Sequence, residues 1–215
     1  MIWKHFWPEH YRDDRIRPWH AGNENREFDS FFRSHMRKVI AVRRSQNGEL
    51  RSSGSLRYLS KNNLNIARLA APPEELRDGT VLIPFRDPMQ QAASMHRQHE
   101  RFLEIHEDDD FVRVYMEAIG HHEFGKGLKP VNFGGWLDGD PADPADLEFW
   151  LQYWNAAYQF VLKHAGEQAV VISYTRLTEK PERCLALLAR ELGLSEDVLV
   201  CISRPTSCAH LGRIP

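Results

Sequence analysis

Apolar positions recur along this chain in two periods, and the periods divide it into helices and short strands. From Asn25 to Arg44, Phe28, Phe31, Phe32, His35, Met36, Val39 and Ile40 fall at three- and four-residue steps, the spacing that lines one helix face. The other face is basic, with Arg33, Arg37, Lys38, Arg43 and Arg44. Leu56-Arg57-Tyr58-Leu59 reads as a short strand, and a helix follows Lys61-Asn62-Asn63 to about Ala71, where Pro72-Pro73 stops it. Val81, Leu82, Ile83 and Phe85 make a second, buried strand. Asp87-Pro88 then opens a helix that runs to about Ile105, since aspartate is a favoured N-cap and proline fits the first helical position. Asp108–Ile119, Asp146–Lys163 and Pro181–Leu192 read as further helices, and Ala169–Ile172 as a third strand.

Strands alternating with helices predict an α/β fold, a parallel sheet flanked by helices on both faces. The chain has 215 residues, enough for one domain with a real core. Residues 1–25, aromatic and polar with Pro8 and Pro18, are expected to form an irregular N-terminal arm. Residues 120–143, rich in glycine and proline, form a loop long enough for a lid or an acceptor-site segment.

Charge narrows the partners. A net charge of −2 and a pI near 6.6 give no electrostatic footprint for nucleic acid. No apolar run approaches a membrane span, and the start lacks a signal peptide's apolar stretch. Cys184, Cys201 and Cys208 show no metal-type spacing, which points to a reducing cytoplasm.

Ligands of open α/β sheets collect beyond the carboxyl ends of the strands. Lys61, Arg86 and Tyr174 each follow a predicted strand and are expected on one rim. An arginine fork beside a helix N-terminus favours an anion, and Ser94, two turns into that helix, adds a hydroxyl. The histidines show no zinc-type motif, so no metal site is expected. His20, His35, His121 and Glu123 are the candidates for a catalytic base. The stripe Trp150, Tyr153, Trp154 and Tyr158 reads as core rather than as an acceptor pocket.

Three segments together resemble the PAPS-dependent sulfotransferases, PAPS being 3′-phosphoadenosine 5′-phosphosulfate. The stretch from Val81 to Ser94 is similar to that family's strand running into Arg-Asp-Pro, with a serine eight residues after the arginine. Tyr58–Leu69 is similar to its strand–lysine–helix segment, with Lys61 on the lysine. Val170–Leu194 is similar to its strand–tyrosine–proline–helix–Leu-Gly-Leu segment, where Tyr174, Leu177, Pro181, Leu192 and Gly193 match while Thr175 and Arg176 replace an acidic pair. The resemblance covers about Leu56 to Leu194. It implies a P-loop-like three-layer sandwich that moves a sulfuryl group from PAPS to a hydroxyl or amine acceptor. Arg86 and Ser94 then hold the 3′-phosphate, Tyr174 belongs to the nucleotide site, and Lys61 stabilises the transferred or leaving oxygens.

The departures set further expectations. The family's glycine- and serine-rich loop for the 5′-phosphosulfate has no counterpart here: Arg51–Ser55 has the composition, but a polar segment precedes it. The expectation is a sheet without its first central strand, leaving an apolar slot that another segment or another chain fills, so a homo-oligomer fits this reading. Arg204, Ser207 and Arg213 are possible late nucleotide contacts. Two other readings stay open, a sulfotransferase-like binding domain without catalysis and a small-molecule kinase, although Gly-x-x-x-x-Gly-Lys-[Ser/Thr] is absent.

Overall fold

The computed structural model describes residues 2–46 and 57–194. The Arg51–Ser55 stretch and the candidates Arg204, Ser207 and Arg213 lie outside the described residues. Within them the protein is a mixed α/β structure, mostly helical, with a two-stranded parallel sheet. The chain, read from sequence as one domain, divides into two compact units. The first takes the described residues up to Gly79 together with Pro88–Gly166; the second takes Thr80–Asp87 and the described residues from Glu167 onward.

Local signals place most of the helices. Helix α1 spans Ile2–Phe6 and α2 Arg26–Gln46. Asn25 caps α2 by accepting the Phe28 N–H at 3.0 Å, a bond that satisfies one orphan donor of the first turn. Helix α3 covers Pro88–Asp108 and α4 Asp110–Ile119, where Asp109 accepts the Phe111 N–H and Gly120 closes the helix at φ +81°. Helix α5 runs Leu147–His164. In the second unit, strands β1 (Val81–Phe85) and β2 (Ala169–Ser173) precede helices α6 (Tyr174–Glu179) and α7 (Pro181–Glu191).

The N-terminal segment, expected as an irregular arm, holds α1 and a 3-10 turn at Pro8–His10 and lends its aromatic residues to the core. Trp7, Tyr11, Ile16 and Trp19 are buried and build the first unit's core with Phe28, Phe32, Val131, Phe133 and Phe160. Ile16 bridges both Tyr11 and Val131, which ties the arm to the loop at 120–143. At the centre lies a buried guanidinium. Arg68 sits 3.5 Å from the Trp3 ring centroid and 4.8 Å from that of Trp19, with Asn65 accepting from Nη1 at 3.4 Å. Burial lowers its pKa to about 9, while the facing Tyr11 hydroxyl opposes the shift. Aromatic faces offset part of the cost of desolvating that charge.

The loop at 120–143 is pinned rather than loose. The Gly125 N–H donates to His99 Nδ1 at 3.0 Å, and the Lys126 N–H donates to His106 Nδ1 at 3.2 Å. A Cβ at Gly125 (φ +72°) would stand 2.6 Å from the His106 ring, so only glycine fits this contact. Accepting at Nδ1 needs the neutral ring, and burial above all holds the His99 pKa down.

Tyr153 fastens the same loop to α5: its hydroxyl accepts the N–H of buried Val131 at 3.1 Å, and its ring stacks on Trp136. Burial pushes the Tyr153 pKa up to about 12, and Glu123 adds to it. A phenol whose folded pKa is raised contributes stability that is present below its unfolded pKa of about 10 and lost as pH rises through 12. Tyr153→Phe should therefore flatten the loss of stability between pH 10 and 12 in urea titrations. At neutral pH it should cost about 1–3 kcal/mol, because the Val131 N–H loses its acceptor. An unchanged alkaline slope would count against this assignment.

The sheet is smaller than the sequence suggests. Residues 57–62 form no strand: Tyr58 packs edge-on against Phe32, while Leu59 is 85% exposed. A short apolar run with no pairing partner gains nothing from an extended ladder. Strands β1 and β2 pair directly with each other, Val81 opposite Ala169 and Phe85 opposite Ser173, with no slot between them.

Candidate functional site

The register of the second unit fixes where Arg86 and Tyr174 stand. Because Phe85 pairs with Ser173, the two parallel strands finish at the same edge, and the next residues are Arg86 and Tyr174. Ser173 ends β2 and starts α6 by accepting the Arg176 N–H at 3.3 Å, which turns the chain from strand to helix within one residue. Tyr174 thereby becomes the first residue of α6. The Arg86 guanidinium carbon lies 5.1 Å from the centroid of the Tyr174 ring, a cation–π contact. Arg86 is half-buried and Tyr174 is exposed.

Lys61 and Ser94 belong to the first unit. Ser94 is half-buried on α3, two residues beyond the buried Ala92. Lys61 follows an irregular segment, which corrects its expected place at a strand end. It heads a polar chain that sequence spacing gave no means of assembling. Lys61 Nζ donates to Asn63 Oδ1 at 2.7 Å, Asn63 Nδ2 donates to Glu123 Oε1 at 2.9 Å, and Glu123 Oε2 lies 3.2 Å from His121 Nδ1.

The local sequence explains how this chain forms. Asn62 accepts the Leu64 N–H at 2.8 Å and starts a 3-10 turn over Asn63–Arg68, whose far end is anchored by buried Ala67 and Arg68. His121 and Glu123 follow the left-handed Gly120 at the end of α4, and the His121 N–H returns to the Met116 carbonyl. Glu123 is mostly covered while His121 is half exposed. A carboxylate that accepts a hydrogen bond from Nδ1–H leaves Nε2 as the basic nitrogen and fixes the ring's orientation. Two of the four base candidates thus form one pair, joined to Lys61 through Asn63.

The other two candidates do different work. His35 stacks against Phe31 and Phe32 on α2, and His20 faces Phe160 edge-on. The aromatic stripe of α5 is divided. Trp150 is fully buried beside Ala92 and Phe149, as its reading as core requires. Trp154 lies tilted against Tyr158, ring centroids 4.3 Å apart, and its indole N–H donates to Gln91 at 3.2 Å. Among the described residues, no helix is long and apolar enough to cross a membrane.

Comparison with protein-family models, with curated proteins and with solved structures finds no match to this chain.

Proposed function

We propose that this protein binds PAPS and transfers its sulfuryl group to a hydroxyl or amine acceptor. One observation carries the reading: Arg86 lies over Tyr174 at the edge where two parallel strands end in register. A guanidinium carries its N–H donors as a planar fork that matches a phosphate, and the ring beside it favours a cation there. In this reading Arg86 binds the 3′-phosphate and Tyr174 seats it. Ser94 keeps the phosphate-binding role that its position in the sequence motif implies. A wider P-loop-like sheet with helices on both faces goes with the proposal. Its support is that parallel strands are normally covered on both faces, whereas Val171 and Phe85 stand 61% and 37% exposed.

In the transfer, a bond forms from the acceptor oxygen or nitrogen to sulfur as the bridging S–O bond to the 5′-phosphate breaks. The electron pair of that bond leaves with 3′-phosphoadenosine 5′-phosphate (PAP). Lys61 stabilises the oxygens that gain charge. The acceptor's proton passes to His121 Nε2, with Glu123 holding the ring and stabilising the imidazolium.

PAP should bind more tightly than AMP in calorimetry, and equal affinity would overturn the nucleotide assignment. His121→Gln should lower transfer to a panel of phenol, sugar and amine acceptors by about 10²-fold or more, read as PAP release, with PAP affinity unchanged. Unaltered transfer in that variant removes His121 from the mechanism. PAP binding without transfer by the natural sequence would instead favour the non-catalytic binding domain.

A further inference from the structure

A second concavity lies wholly within the first unit, between α5 and the loop at 120–143, with a volume of about 690 Å³. That is within the range of small-molecule sites, about 300–1,000 Å³. One wall is a continuous stripe of α5. Gln152, Asn155, Gln159 and Lys163 follow at three- and four-residue steps, with the small Ala156 between them leaving the hollow. The facing wall is loop, where Gly134 (φ +62°) and Gly135 (φ +83°) turn the backbone and Trp136 is held by its N–H bond to the Val131 carbonyl. Phe133 and Phe160, their ring centroids 5.0 Å apart, are buried behind the cleft and leave the half-buried Trp136 as its aromatic face.

The chemistry around the hollow is uneven. Gln159 Nε2 donates to Asn155 Oδ1 at 3.4 Å, which leaves an amide donor on Asn155 and an amide acceptor on Gln159 outside that bond. One end carries the Lys163 ammonium, with the imidazoles of His164 and His20 beside it; Asp140 also lines the cleft. Burial, then Lys163, then His20 depress the His164 pKa, as expected of a corner short of negative charge.

These features select a ligand class. A purely apolar ligand would desolvate the amides without pairing them. A polyphosphate would meet Asp140 and find one lysine and no arginine in the lining. A sugar ring offers an apolar face for the aromatic surface and hydroxyls that both donate and accept, as the amides do. A carboxylate on that ring meets the Lys163 ammonium and the imidazole N–H groups beside it. We infer that the cleft between α5 and the loop binds an acidic saccharide of one or two rings, with its carboxylate at Lys163, His164 and His20.

The inference does not depend on sulfuryl transfer, and its test needs no PAPS. Calorimetry or NMR titration of the full chain with a glucuronate-containing disaccharide, its neutral glucose counterpart and PAP separates the cases. The acidic sugar should bind more tightly than the neutral one. Lys163→Ala, at an exposed position, should weaken only the acidic sugar, by about tenfold, and Gln159→Ala should weaken both. PAP affinity should stay constant in both variants. No saccharide binding at millimolar concentration, equal affinity for the two sugars, or displacement of the sugar by PAP would each overturn the inference. None of the first two results bears on nucleotide binding. Conversely, failure of PAP to bind would overturn the proposed function and leave a positive saccharide result standing.

Discussion

Trp19→Ala should cost about 3–5 kcal/mol of stability, the upper range for core truncations. Trp19 is 1% exposed and is enclosed by four other rings. His10 stacks on it at 4.4 Å, and Trp3, Trp7 and Tyr11 meet it edge-on at 6.0–6.2 Å. The substitution removes more than apolar contact. It strips one of the two aromatic faces that cover the Arg68 guanidinium, leaving a buried charge with less compensation. Arg68→Met gives the contrast, because it keeps volume and removes the charge together with its desolvation cost. That variant should stay within about 1–2 kcal/mol of the natural sequence. Urea unfolding followed by tryptophan fluorescence and circular dichroism reads both. A Trp19→Ala loss below about 1 kcal/mol would show that the N-terminal segment is not core.

Arg86→Ala should weaken PAP binding by about a hundredfold, the equivalent of roughly 3 kcal/mol for a lost charge-assisted contact to phosphate. The guanidinium follows β1 directly and is seated on Tyr174, so its loss removes both charge and geometry. Arg86→Lys should recover only part of the affinity, since an ammonium has the charge without the planar fork. Tyr174→Leu should show a smaller loss through the seat alone. AMP, which lacks the 3′-phosphate, should be indifferent to all three substitutions. A parallel loss of AMP binding would move Arg86 away from the 3′-phosphate, and an unchanged PAP affinity would remove it from the site.

The elements that sequence patterning describes well are those whose signals are local. Helix α2 follows from the three- and four-residue spacing that buries Phe28 and Phe32. The observed bounds of α3, α4, α5 and α7 lie within three residues of the expected ones, because proline and aspartate at their starts and glycine after α4 and α7 act within one turn. Strands β1 and β2 were equally legible as short apolar runs. In the candidate site, Arg86 and Tyr174 could be placed from strand ends alone, and β1 and β2 do end together.

Long-range contacts carried no such signal. Trp3, Trp7, Trp19, Arg68 and Val131 share a core across more than a hundred residues of sequence, and no period links them. An aromatic, proline-broken segment reads as irregular because its partners are distant rather than because it lacks structure. The pairing of His121 and Glu123 with Lys61 likewise needed the fold, since Asn63 reaches Glu123 over 60 residues. Leu56–Leu59 shows the reverse error: the composition of a strand, without a neighbour to supply its ladder, yields an irregular segment in the described part.

The sequence by itself therefore determined α2, α3, α4, α5 and α7, the two strands and the arginine that follows the first of them, because backbone propensity, capping and periodicity act between near neighbours. Tertiary structure alone decided that the N-terminal aromatics enclose Arg68, that the loop at 120–143 is fastened to α3 by His99 and His106, and that Lys61 joins a His–Glu pair. Burial and hydrogen-bond satisfaction are properties of the packed chain, and they select partners that linear spacing does not encode.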